Sequence, residues 1–226
     1  TDLPTKAPAA TQIIRTQTPL LDVEPSTSTP ESFYSHYNLA FTSGKGNSLQ
    51  VYLMDAENPV DWTVLPLPDG YERAYWPTFC GQSLAFDVED QNFIMPRWVY
   101  LYDLVQDRLQ SLDLHDESIE RAIFPSCSPR DAYLGVTVFR SGDWFIDILD
   151  FEQNRIIFEL ESEDYPLISN ISWSFMLTEF YWMGTRSTGF TEINLTRNSD
   201  GNAETSLYAQ GRYPALSPDG KYLVNF

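Results

Sequence analysis

Basic residues are scarce in this chain. Fourteen Lys and Arg stand against 32 Asp and Glu, a formal net charge of −18. A field of that sign repels phosphate backbones and anionic headgroups, which excludes nucleic acid as a partner and disfavours a peripheral membrane role. Long apolar runs are missing as well. None approaches the roughly 20 residues that cross a bilayer, so this segment is not expected to insert directly into a membrane. Histidine is nearly absent, with His36 and His115 alone. Neither pairs with another His or a Cys at ligand spacing, so no metal and no cofactor are expected. No G-x-S-x-G elbow occurs, and a nucleophile needs a base beside it. No catalytic residue is assigned, and the chain is read as a non-enzyme.

The first residues, TDLPTKAPAATQ, lack an initiator Met, a basic start and an apolar core, so they are not expected to be a signal peptide, and the chain is expected to begin inside a larger precursor or after processing. Residues 1–31 are rich in Thr, Pro, Ser and Ala and carry neither helical nor strand period. Repeated Pro removes backbone donors and favours an extended chain, so this stretch reads as a disordered linker. Such Thr/Pro-rich tethers suit a module held outside the cytoplasm, in the periplasm or at the cell surface.

From residue 32 the texture changes to short runs of Tyr, Phe, Val, Ile, Leu and Trp, punctuated by Gly, Asp, Asn and Pro. These are strand and turn signals without a competing helical period. They also repeat. Val51–Asp55, Val99–Asp103, Ile146–Asp150 and the weaker Thr191–Leu195 form one series, with closing positions stepping by 48, 47 and 45. A second series holds Arg73–Cys80, Arg121–Ser128, Asn170–Ser174 and Tyr213–Ser217, and Leu39-Ala-Phe41 is echoed by Leu84-Ala-Phe86. Each period accommodates about four strands, and four antiparallel strands repeating at roughly 40–50 residues describe propeller blades. The blades are expected at 32–70, 71–118, 119–166 and 167–210, with the first two strands of a fifth at 211–226.

The closing Ser217-Pro-Asp-Gly-Lys-Tyr-Leu-Val224 resembles the hallmark of TolB-like, WD-type propeller repeats, and Cys127-Ser-Pro-Arg-Asp-Ala-Tyr-Leu-Gly-Val136 looks like a degraded copy. The resemblance covers about residues 32–226. It implies an all-β propeller whose hallmark forms the turn between the first two strands of a blade. Pro fixes φ there, Asp accepts backbone hydrogen bonds and Gly supplies a positive φ. Blade 2 has Cys80-Gly-Gln-Ser83 in that place, and blade 4 has Ser174-Phe-Met-Leu-Thr178. TolB-like repeats occur in periplasmic binding proteins, in bacterial surface ectodomains and in front of prolyl-oligopeptidase-type hydrolases. Because the fifth repeat stops after two strands, the chain is expected to be a fragment forming an open arc.

Several residues stand out for chemistry. Arg73 and Arg121 lie four residues before Pro77 and Pro125, and Arg212 lies two before Pro214. At the mouth of a propeller channel, such guanidinium groups can grip a carboxylate or phosphate; alternatively each staples a neighbouring acid. Trp76, Phe124, Trp173 and Tyr213 appear at nearly equivalent positions, either filling space between sheets or lining a binding rim. Arg73, Arg121, Arg212, Trp76, Trp173 and Tyr213 are therefore the candidate ligand-binding residues. Asp55, Asp103 and Asp150 close strands and read as Asx turns. His115 reads as a surface-loop residue in an acidic turn and His36 as a packed or channel-facing one. Asn198–Glu204 faintly resembles a calcium loop but fits a hairpin turn better. Cys80 and Cys127 are read as buried free thiols, since strands of different blades need not meet; a bridge requires Cα atoms within roughly 7 Å.

The reading that follows is a non-catalytic, extracytoplasmic propeller that recognises a protein or peptide partner. The alternative is the gating propeller of a longer prolyl-oligopeptidase-type serine hydrolase, with a propeller glycosidase as a third, weaker class.

Overall fold

A computed structural model describes residues 14–16, 39–45, 48–60, 62–90, 92, 96–129, 133–151, 153–174, 179–199, 202–217 and 220–225. All described regular structure is β. The first sheet is β2 (Leu39–Lys45), β3 (Ser48–Met54) and β4 (Trp62–Val64). The second is β5 (Arg73–Cys80), β6 (Ser83–Glu89), β7 (Trp98–Asp103) and β8 (Arg108–Ser111). One parallel bridge, Leu49 with Arg73, joins these two. The third sheet is β9 (Ile119–Cys127), β10 (Tyr133–Arg140), β11 (Asp143–Asp150) and β12 (Arg155–Glu161). Its outer edge also carries β1 (Ile14–Thr16), a short strand within the Thr/Pro-rich stretch, antiparallel to β12. The fourth is β13 (Leu167–Trp173), β14 (Glu179–Thr185), β15 (Thr191–Ser199) and β16 (Asn202–Gln210). A last hairpin pairs β17 (Ala215–Leu216) with β18 (Leu223–Val224). This is an all-β propeller of four-stranded antiparallel blades, with two strands of a fifth.

The core is a series of layers between consecutive blades. Val51, Leu53, Leu84, Phe86 and Val88 fill the first, Ala85, Leu101, Ala122, Leu134, Val136 and Val138 the second. Ile146, Ile148, Phe158, Trp173, Phe180 and Trp182 fill the third. An inner blade is thus covered on both faces, so β10 is buried almost end to end and shows no polar alternation.

Local chemistry accounts for the turns. Val105 and Gln106 N–H donate to Asp103 Oδ1, Gln153 N–H to Asp150 and Glu57 N–H to Asp55, the Asx turns expected of these residues. In the closing hairpin Tyr222 N–H donates to Ser217 Oγ, Ser217 N–H to Tyr222 O, and Gly220 takes φ 71°. Ser128 and Tyr133 exchange the same two bonds, so the degraded copy keeps the turn geometry.

The two cysteines are not free thiols. Cys80 and Cys127 form a disulfide with Cα atoms 5.4 Å apart. They sit on β5 and β9, the first strands of blades 2 and 3, and first strands converge as the blades turn about a common axis. His36 lies outside the described residues. His115 is exposed, with Nδ1 3.1 Å from Asp113 and Nε2 2.9 Å from the Asn154 amide.

Candidate functional site

The first strands of blades 2, 3 and 4 each carry one extra residue relative to the partner strand. The register steps from Tyr75↔Asp87 to Thr78↔Ala85, from Ile123↔Thr137 to Ser126↔Gly135, and from Ser169↔Met183 to Ser172↔Tyr181. At each bulge one non-glycine residue takes a left-handed backbone: Trp76 at φ 54°, Phe124 at 54° and Asn170 at 53°, with Tyr213 at 51° in the fifth blade. This conformation costs a bulky L-residue on the order of 1 kcal/mol, so Trp76, Phe124 and Tyr213 carry a repeated strain, whereas Asn170 adopts it readily. In three of the four cases Pro follows: Pro77, Pro125 and Pro214. Proline is tolerated because the free edge of an inner strand makes no ladder bond at a bulge.

The bulge turns the aromatic side chains toward the axis. Trp76 meets Phe124 edge-on at 5.4 Å between ring centroids, and stacks on Tyr213 at 5.8 Å and 22°. Trp76 belongs to blade 2 and Tyr213 to blade 5, so these rings touch across the channel. Trp76 and Tyr213 remain 43 % exposed. Trp173 is not part of this cluster. It lies three residues after Asn170, equivalent to Phe79, Cys127 and Leu216; its indole is buried between blades and donates to Ser126 O at 2.9 Å.

Two residues missed by the sequence reading complete the site. Asp87, fully buried in β6, accepts from Phe124 N–H at 2.8 Å and from Arg97 at 2.7 Å. Burial pushes its carboxyl up to about 6, although Arg97 and the two hydrogen bonds pull the other way. The Arg97 guanidinium lies 4.7 Å over the Tyr75 ring and 5.5 Å over Phe124. The signal for Asp87 was a carboxylate inside the apolar run SLAFDVE; Arg97 sits in the loop before β7 and carries no such mark.

The three candidate arginines do not form one ring. Arg73 pairs with Glu89 at 3.4 Å, the neighbour across its own sheet, and Tyr75 OH donates to the same carboxylate. Arg121 is exposed three residues before Phe124, the position equivalent to Arg73, whereas exposed Arg212 directly precedes Tyr213. The site thus offers exposed aromatic faces, a stacked guanidinium and a buried carboxylate.

No family model matches the chain, and no curated protein does either. Solved structures do. TolB from Acinetobacter baumannii superposes with a TM-score of 0.62 at 17% identity over 81% of this chain and 44% of its own. Putative TolB from Agrobacterium tumefaciens gives 0.60 at 17% identity, over 83% and 70%. A prolyl endopeptidase gives 0.52 at 15% identity, over 72% and 23%. The chain therefore spans less than half the length of the Acinetobacter TolB, and similarities at these identities speak to fold alone. The fold is that of a TolB-like β-propeller.

Proposed function

We propose that this chain is a non-catalytic propeller module, working outside the cytoplasm, that binds a protein or peptide partner at the aromatic channel site. The observation that carries the proposal is that Trp76 meets both Phe124 and Tyr213, all three on a left-handed backbone. Backbone strain of this kind accumulates where a site is pre-organised, and half-exposed Trp and Tyr are the usual anchors of interfaces. The inter-blade disulfide supports an oxidising compartment, and the Thr/Pro-rich residues ahead of β1 serve as the tether. Arg121 and Arg212, both exposed, stand three residues before Phe124 and directly before Tyr213, and select partner groups of negative charge.

Peptides selected by display against the 226-residue chain test this reading. Bound peptides should lose about tenfold in affinity to Trp76→Ala and to Tyr213→Ala, with both variants folded by circular dichroism. Selected peptides that bind both variants as tightly as the parent would overturn the assignment of the site. The gating-propeller alternative finds support in the likeness to prolyl endopeptidases; it predicts a downstream α/β-hydrolase segment with G-x-S-x-G in the full-length gene.

A further inference from the structure

The outermost strands of blades 2, 3 and 4 are β8, β12 and β16. β8 is four residues long, and neither it nor β16 holds a buried side chain among the described residues. β12 differs. Its run Arg155-Ile-Ile-Phe-Glu-Leu-Glu161 is seven residues long, and Ile157, Phe158 and Leu160 are buried. A long apolar strand at an edge presents N–H and C=O groups that invite another strand. Of the three, β12 is also the one that carries an added strand among the described residues. β1 lies along it with Ile14 opposite Leu160, Arg15 opposite Glu159 and Thr16 opposite Phe158.

This register matches the chemistry of both faces of blade 3. On one face Ile146 and Leu160 are cross-strand partners, and Ile14 takes the next place in that row. On the other face Asp147 and Glu159 are partners, and Arg15 takes the next place. The second row is short of positive charge. Arg140 serves Asp116, Asp147 and Glu159 at once, one guanidinium for three carboxylates. A slip by one residue would set Ile14 or Thr16 opposite Glu159 and put Arg15 in the apolar row. Opposite charges on facing strands stabilise a pairing and like charges oppose it, so the acidic row selects a basic residue at this place.

We propose that the outer edge of β12 is a strand-addition site for an extended peptide segment carrying a basic residue opposite Glu159, and that β1 is its resident, displaceable occupant. In such a site the main-chain hydrogen bonds supply the hold and alternate side chains supply the choice. β1 spans three register pairs, whereas β12 offers seven residues, so a longer segment of the same pattern displaces it. The site lies on the outermost strand of blade 3, apart from the first strands that carry Trp76 and Phe124, and works independently of the channel.

A labelled synthetic peptide with the sequence of residues 10–18, ATQIIRTQT, tests the proposal against the 226-residue chain. Ile14→Pro with Arg15→Pro removes β1 from the edge, because adjacent strand residues aim their N–H groups to opposite sides and one of the two must serve β12. In hydrogen-exchange mass spectrometry, residues 155–161 should exchange about tenfold faster in this variant than in the parent, with residues 133–150 equally protected in both. The peptide should bind the variant about tenfold more tightly than the parent, whose site is open only part of the time. The same peptide carrying Arg15→Glu should bind the variant about fivefold more weakly. If the double variant fails to fold by circular dichroism, Arg15→Glu in the chain replaces it, with the same readouts. Equal exchange of residues 155–161 in parent and variant overturns the proposal. So does a peptide that binds both chains equally or neither, or an Arg15→Glu peptide that binds as tightly as the original.

Discussion

Asp87 is the residue on which blades 2 and 3 are most finely tied. One carboxylate oxygen holds Arg97 within its own blade and the other caps the N–H of Phe124 in the next. Replacing it with Ala leaves the bulge N–H and Arg97 without this partner. Asp87→Ala should lower stability by about 3 kcal/mol in urea unfolding, the cost of breaking one side of a buried pair. Asp147 is a second buried carboxylate, sharing Arg140 with Asp116 and Glu159. Burial pushes it up to about 7, Arg140 opposes the rise, and the two neighbouring acids add to it. Asp87 and Asp147 thus hold protons in the folded state that the unfolded chain has already released. Their contribution is complete below the ordinary carboxylate value and is lost as pH rises through about 6 to 7. Asp116 and Glu192 behave oppositely. Hydrogen bonds from Ser118 and Arg186 hold them low, and their contribution disappears as pH falls through those depressed values. Melting temperature should therefore be higher near about pH 5 than near pH 8, and Asp147→Asn should flatten that slope. A melting temperature that rises steadily toward pH 8 would contradict the assignment.

At the scale of the strand, the bulge sets the phase of the repeat. Two residues after it stand Thr78, Ser126 and Ser172; three residues after it stand Cys127, Trp173 and Leu216. The first position of one blade accepts from the second position of the next. Cys127 N–H donates to Thr78 Oγ1, Trp173 Nε1–H to Ser126 O and Leu216 N–H to Ser172 Oγ. Thr78→Val and Ser172→Ala should each cost about 1 kcal/mol. They lie on different interfaces, so thermal unfolding of the double variant should show their sum. The strands and turns were legible in the sequence because period-2 runs and Ser-Pro-Asp-Gly punctuation are local. The phase was not. Trp173 matches Trp76 in side-chain type, but the extra residue makes Asn170 its counterpart, and Asn170 is neither aromatic nor followed by Pro. The disulfide escaped for a related reason: its Cα separation depends on how sharply successive blades turn, which no single strand records.

For the whole molecule, a bridge 47 residues apart in sequence ties two blades near the axis. Loop closure of that length corresponds to about 4 kcal/mol. Reduction should lower the denaturation midpoint by that order while leaving the far-ultraviolet β signature intact. Among the described residues, the main blade-to-blade packing is between sequence neighbours, as in a quasi-linear repeat. The meeting of Trp76 and Tyr213 departs from this, because it joins blades 2 and 5 directly. The central claim is that the left-handed backbone at Trp76 and Tyr213 brings these rings together across the channel. A double-mutant cycle between Trp76→Ala and Tyr213→Ala, read by urea unfolding, tests it most directly. The geometry predicts a coupling of about 1 kcal/mol. Effects that add to within about 0.3 kcal/mol would place the two rings apart and contradict the site.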